Sequence, residues 1–290
     1  MLRFLTILPA PVSGSGEGKT HLAAPHTDQR GEHTATEMKT VLILPESPAG
    51  DEEIRSVGRS TIYFPLVGLL IGLLLVLLYM VLRTFLPTTV NCVLLIGALA
   101  VITGAHHIDG LMDTADAFAA GKTGAQRLEI MKDTRVGAFG ITAAIIVLLT
   151  KYISLAAIIS IPALLTFPLL SRWAITGLAL IFPSARDGGS FYALKDSAGW
   201  GGFIGATVIA LTVAVPLNGL IIGPLIMLGL FGLLYCLGVI FSRLFGGLTG
   251  DCCGALIESG EVIVLILNIA LIRLLPSLSD ANLFKINIPF

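Results

Sequence analysis

Charge is scarce in this chain. Of 290 residues, 13% are Asp, Glu, Lys or Arg, where a soluble domain carries about 25%. With 55% hydrophobic residues and a mean hydropathy of +0.90, the sequence excludes a disordered protein and leaves too little polar surface for soluble domains. The same composition excludes a nucleic-acid binder, and the net charge of −1 points to neither an acidic nor a basic partner. Only four cysteines occur, Cys92, Cys236, Cys252 and Cys253. None stands in a Cys-x-x-Cys pair, which argues against a zinc site or a disulfide framework. No Gly-x-Ser-x-Gly elbow and no HExxH run appear, so serine hydrolase and zinc protease chemistry have no support. What remains is a polytopic membrane protein.

Polar residues are concentrated in one place. Residues 12–60 hold eight of the 19 acids and three of the five histidines, and read as a water-exposed, largely mobile part of an N-terminal segment 1–61. Residues 1–11 carry one Arg and a short apolar stretch interrupted by Pro9 and Pro11, too early for a signal peptide, and read as an amphipathic piece on the membrane. Ser13–Thr20 approximates a P-loop, but Ser13 replaces the first Gly and no strand precedes it.

From Ile62 onward apolar runs recur at the length a spanning helix needs, roughly 20 residues. The runs are 62–82, 90–108, 137–159, 163–182, 202–221, 224–242 and 261–276. An all-α bundle of about seven spans over residues 62–276, with a tail at 277–290, follows. Lys151 and Arg172 make the third and fourth runs the least secure. One set of segments, 1–61, 109–136, 183–201 and 243–260, contains 13 of the 18 Lys and Arg, which predicts that this side and the N-terminus are cytoplasmic.

Acids gather on that same side. Of the 11 beyond residue 60, only Asp280 lies away from these three loops and their edges. Asp109, Asp113 and Asp116 are spaced i, i+4, i+7 and fall on one helical face. Three carboxylates on one stripe repel each other and suit a divalent cation with hard oxygen ligands, such as Mg2+ or Mn2+; a solvated helix face is the plainer alternative. His106 and His107 precede the stripe, and helical spacing puts His106 on its face. Glu129 and Asp133 are again i, i+4, with Lys132 and Arg135 able to grip phosphate; a salt-bridged connector is the alternative. A third block, Gly246–Glu261, combines four glycines within its first nine residues with Thr249 and with Asp251, Glu258 and Glu261 on one stripe, and Arg243 stands just before it. A Gly-rich loop before a helix start would explain it equally simply. Acids and phosphate-gripping cations on one face favour phosphoryl-type transfer, which asks for metal and positioning more than covalent chemistry.

Three of these blocks, His107–Asp116, Met131–Gly140 and Leu248–Glu258, resemble the motifs of the cobalamin synthase family, the adenosylcobinamide-GDP ribazoletransferases. Phe4–Pro9 and Tyr63–Gly72 are weaker matches in the same order. Residues 12–60 are longer than the family usually has. His106 replaces a common aromatic, Ala117 a usual Gly, and Cys252–Cys253 is atypical; no carboxylate is lost. The resemblance implies a Mg2+-dependent inner-membrane enzyme of late vitamin B12 assembly, with its active site on the cytoplasmic side. It would join adenosylcobinamide-GDP to α-ribazole or its 5′-phosphate and release GMP. By the same resemblance Asp109, Asp113, Asp116, Asp251 and Glu258 would hold metal, and Lys132, Arg135, Arg243 and Thr249 would hold substrate. His107, Asp109, Asp113, Asp116 and Asp133 would serve catalysis, with His107, rather than His106, as the functional histidine. Its partners would be the two substrates, the lipid bilayer and other cobalamin-assembly enzymes in a complex, with no nucleic acid.

Two rivals differ in their residues. A membrane CDP-alcohol phosphotransferase has an Ala-Arg after its first Asp-Gly run, where this chain has Asp109-Gly-Leu-Met-Asp-Thr. An ion-coupled transporter would repeat its acids near the bilayer midplane in two halves, and no internal repeat is visible.

Overall fold

In the computed structural model the described residues are 61–275, apart from Lys122 and Thr134. The N-terminal segment and the tail beyond 275, with the readings made of them above, lie outside the described residues. Ten α-helices follow a short turn of 3-10 helix at Thr61–Tyr63. They are α1 (Phe64–Leu82), α2 (Thr88–Ile102), α3 (His106–Ala119), α4 (Gly124–Ile130), α5 (Ala138–Ile158), α6 (Ile161–Ile181), α7 (Ser190–Ser197), α8 (Trp200–Asn218), α9 (Ile222–Phe245) and α10 (Gly250–Leu274). Six are long and apolar enough to cross a membrane, and α2 with α3 makes a seventh if the bent pair is one span.

Helix α6 is the hub. Every residue from Pro162 to Ala179 is buried, as expected of a helix apolar on all sides and ringed by others. Gly68 and Gly72 of α1 let its backbone approach α6 directly. A Cβ at Gly68 would lie 2.3 Å from the Pro168 carbonyl oxygen, and one at Gly72 would lie 2.8 Å from that of Leu164. Small residues four apart are how spanning helices gain close van der Waals packing where no hydrophobic effect separates them from lipid. Apolar side chains such as Leu77, Ile146, Ile153 and Leu228 remain exposed on the outer helices, as a lipid-facing surface requires.

Two expected spans have different bounds. The second was expected to run through residue 108, but α2 ends at Ile102, and α3 departs at 88°. Gly104 and Ala105 both take left-handed backbone conformations there, which no continuing helix tolerates. The last span begins at Gly250 rather than 261. Its acidic first turns face α3 instead of lipid, so their polarity does not delay the helix. Short helices α4 and α7 lie within the segments 109–136 and 183–201, which were expected to be loops. Lys151 and Arg172, which weakened two runs in the sequence, lie well inside α5 and α6 and are fully buried.

One end of the bundle collects the chain segments with chemistry. The backbone of Gly110 in α3 lies against Asp251 of α10, Gly254 lies against His107, and Gly124 lies against the Leu244 carbonyl. Ser184 and Leu248 pair as a parallel bridge, tying the 183–189 loop to the entrance of α10.

Candidate active site

The acidic face is built by α3 and the first turn of α10. On α3, Asp109 is exposed and Asp113 is half-buried, and neither carboxylate accepts a hydrogen bond from the described residues. Asp113 sits in the like-charge field of Asp109, Asp251 and Asp116. These four carboxylates therefore lie within electrostatic reach of one another at one end of the bundle. Among the described residues no three His, Cys, Asp or Glu side chains converge into a ready metal cage. Mg2+ does not need one, since it is commonly held by one or two carboxylates with water and substrate phosphates. Two carboxylates without donors, under uncompensated negative charge, fit that demand.

Asp116 has a second duty. Its Oδ2 accepts the N–H of Gly137 at 2.7 Å and its Oδ1 that of Gly140 at 2.8 Å, so it caps the start of α5. The first N–H groups of a helix lack internal partners and attract a carboxylate. Glycine leaves room for this cap, since a Cβ would lie 2.4 Å from Asp116 Oδ1 at Gly137 and 2.5 Å from Oδ2 at Gly140 and would displace the carboxylate. Arg127 of α4 closes the C-terminal end of α3, its guanidinium donating to the Ala117 and Phe118 carbonyls.

Glu258 does not join the acidic face. It is buried, and its Oε2 lies 2.6 Å from Lys151 Nζ, which also reaches Glu261 Oε2 at 2.6 Å. Arg172 completes the group by pairing with Glu261 Oε1. Two cations and two anions so balance one another, which is what allows them to lie within apolar helices. The expectation of Glu258 as a metal ligand is corrected on this ground: its charge is already matched. Sequence reading missed the pairing because Lys151 stands 107 residues away.

His107 is buried beneath the face, with Nδ1 3.4 Å from Arg172 Nη2. Arginine only donates, so Nδ1 accepts and the ring hydrogen resides on Nε2. His106 is exposed. Thr249, expected to hold substrate, is buried and accepts the Cys252 N–H at 3.2 Å as the N-cap of α10. Its hydroxyl also stands 3.4 Å from Asp251 Oδ2.

Asp133 is exposed and bound to Arg135, with Nη2–Oδ2 at 2.8 Å and Nε–Oδ1 at 3.1 Å. That guanidinium holds the Asp133 carboxyl down at about 2. The fork is spent on Asp133 rather than left for phosphate. Lys132 and Arg243 are exposed without an ion-pair partner among the described residues, Arg243 at the C-terminal turn of α9. Arg186 is a cation the sequence reading did not single out. It stands across from Asp251 and attracts it, without an ion pair within 4.0 Å.

A helical bundle with apolar outer faces and unpaired carboxylates gathered at one end defines a polytopic membrane enzyme. The chain belongs to the cobalamin-5-phosphate synthase family, whose model matches residues 33–269. It is 36% identical over 234 residues to the adenosylcobinamide-GDP ribazoletransferase of Roseiflexus sp., covering 80% of this chain and 86% of that one. The protein of that name from Desulfitobacterium hafniense is 38% identical over 72% of this chain and 85% of its own. The one from Pseudomonas fluorescens is 39% identical, over 77% and 91%. No solved structure matches the chain.

Proposed function

We propose that the acidic face joins adenosylcobinamide-GDP to α-ribazole or its 5′-phosphate, releasing GMP. The observation that carries this reading is the pair of donor-free carboxylates, Asp109 and Asp113, set against Asp251 in a chain whose named relatives cover most of its length. A ribose hydroxyl oxygen of the ribazole forms a bond to the cobinamide-proximal phosphorus. The bond from that phosphorus to the bridging oxygen breaks, and the bridging oxygen leaves on GMP. Asp109, Asp113 and Asp251 would hold Mg2+, which neutralises the diphosphate when bound.

The hydroxyl proton passes to an α3 carboxylate rather than to His107, whose Nδ1 is engaged by Arg172. His107 sets α3 on α10 from below, and Asp116 fixes the far side of α3 to α5. Lys132, exposed and without an ion-pair partner among the described residues, is a cation available to the incoming phosphates. The basic bias of the flanking loops favours a cytoplasmic orientation for this end of the bundle.

Purified chain in liposomes, given both substrates and Mg2+, is expected to form corrinoid phosphodiester and GMP in equal amounts. Absence of both products from folded protein, beside an active control enzyme, would refute the reading. A CDP-alcohol and lipid acceptor offered to the same preparation should give no product.

A further inference from the structure

The loop between α6 and α7 is not a loose connector. Leu248 N–H donates to the Pro183 carbonyl and Ala185 N–H to that of Leu248, both at 2.9 Å, and Ser184 Oγ donates to the Arg186 carbonyl at 2.8 Å. Gly247 fits because a Cβ there would lie 2.6 Å from Ala185 N. Arg186 is thus delivered to a fixed place. Its Nη2 donates to the Leu128 carbonyl at 2.6 Å, while its Nε is buried and has no partner.

Between Arg186 and Asp251 lies a cavity of about 150 Å³, lined also by Ser184, Ser190 and Thr249. That is the size of an engineered cavity that takes one benzene, so a phosphate with part of its sugar fits and a corrin ring does not. The residues that open α7 border it, and Gly188 and Gly189 take left-handed conformations that a side chain would strain. An Arg at the wall of this cavity that keeps an unmet donor and is not spent on Asp251 is free to take an anion there.

We propose that this cavity is the subsite for the phosphate that departs as GMP, with Arg186 as its specific donor. The inference rests on the reaction proposed above. Asp251 borders both the cavity and the α3 carboxylates, so a diphosphate reaching across it has one phosphorus at Asp109 and Asp113 and the other at Arg186.

The test is equilibrium binding of GMP, with Mg2+, to the full chain in detergent micelles. Arg186→Met should weaken GMP roughly tenfold or more, the value of one charge-assisted hydrogen bond. Binding of α-ribazole 5′-phosphate should stay within about twofold. Arg186→Lys keeps the charge and a donor for the Leu128 carbonyl but loses the fork, so it should fall between. It serves alone if the Met variant does not fold. GMP binding at the wild-type level in folded variants overturns the subsite. So does equal weakening of both ligands. If the wild type makes no product yet binds GMP through Arg186, the reaction above is refuted and the subsite stands.

Discussion

The main-chain N–H of Gly140 donates to Asp116 Oδ1 across 24 residues of sequence at 2.8 Å, while Gly137 donates to the other oxygen. One carboxylate thereby belongs both to the acidic face and to the frame that holds it. Asp116→Ala should lower thermal stability, since each orphaned donor costs about 1–3 kcal/mol. Hydrogen exchange should quicken at the first turn of α5. Asp116→Asn keeps one acceptor and should lose less. Unchanged exchange in the Ala variant would contradict the capping role.

Asp113 should behave oppositely. It accepts no hydrogen bond among the described residues and stands amid like charge. Asp113→Asn should cut turnover by roughly a hundredfold or more, with an unfolding midpoint equal to or above that of the wild type. Steady-state turnover beside a melting curve checks both halves.

The buried charges make a third case. Lys151→Met leaves Glu258 and Glu261 facing one cation and should cost about 3–5 kcal/mol. Adding Glu258→Gln leaves Arg172 matched to Glu261 and should recover most of that loss. Denaturant unfolding in micelles compares the two. A double variant no more stable than the single would show that charge balance is not what holds this cluster.

Thr249→Val removes the α10 cap and should cost about 1 kcal/mol, with the KM of α-ribazole 5′-phosphate within about twofold. Thr249→Ser should restore the midpoint. A large KM change at constant stability would return Thr249 to the substrate.

Much of this was legible in the sequence. Apolar runs of spanning length gave the helices, and the i, i+4, i+7 spacing gave the face formed by Asp109, Asp113 and Asp116. Hydropathy could not show that α2 breaks at Gly104 and Ala105, because left-handed alanine has no compositional signal. Nor could spacing separate the acids of α10: Asp251 and Glu258 share a stripe, yet one meets α3 and the other Lys151. Lys151 and Arg172 looked like defects in spans until their partners on another helix were visible. A basic residue and an acid within apolar runs far apart are the signal that would have found them.

The most direct test is a Mg2+ titration of GMP release with saturating adenosylcobinamide-GDP and α-ribazole 5′-phosphate, run on the wild type and on Asp109→Asn. The wild type should be silent in EDTA, recover fully on added Mg2+, and reach half-activity at a lower Mg2+ concentration than the variant. Turnover that survives EDTA, or identical Mg2+ curves for the two proteins, would contradict the assignment of a metal to this acidic face.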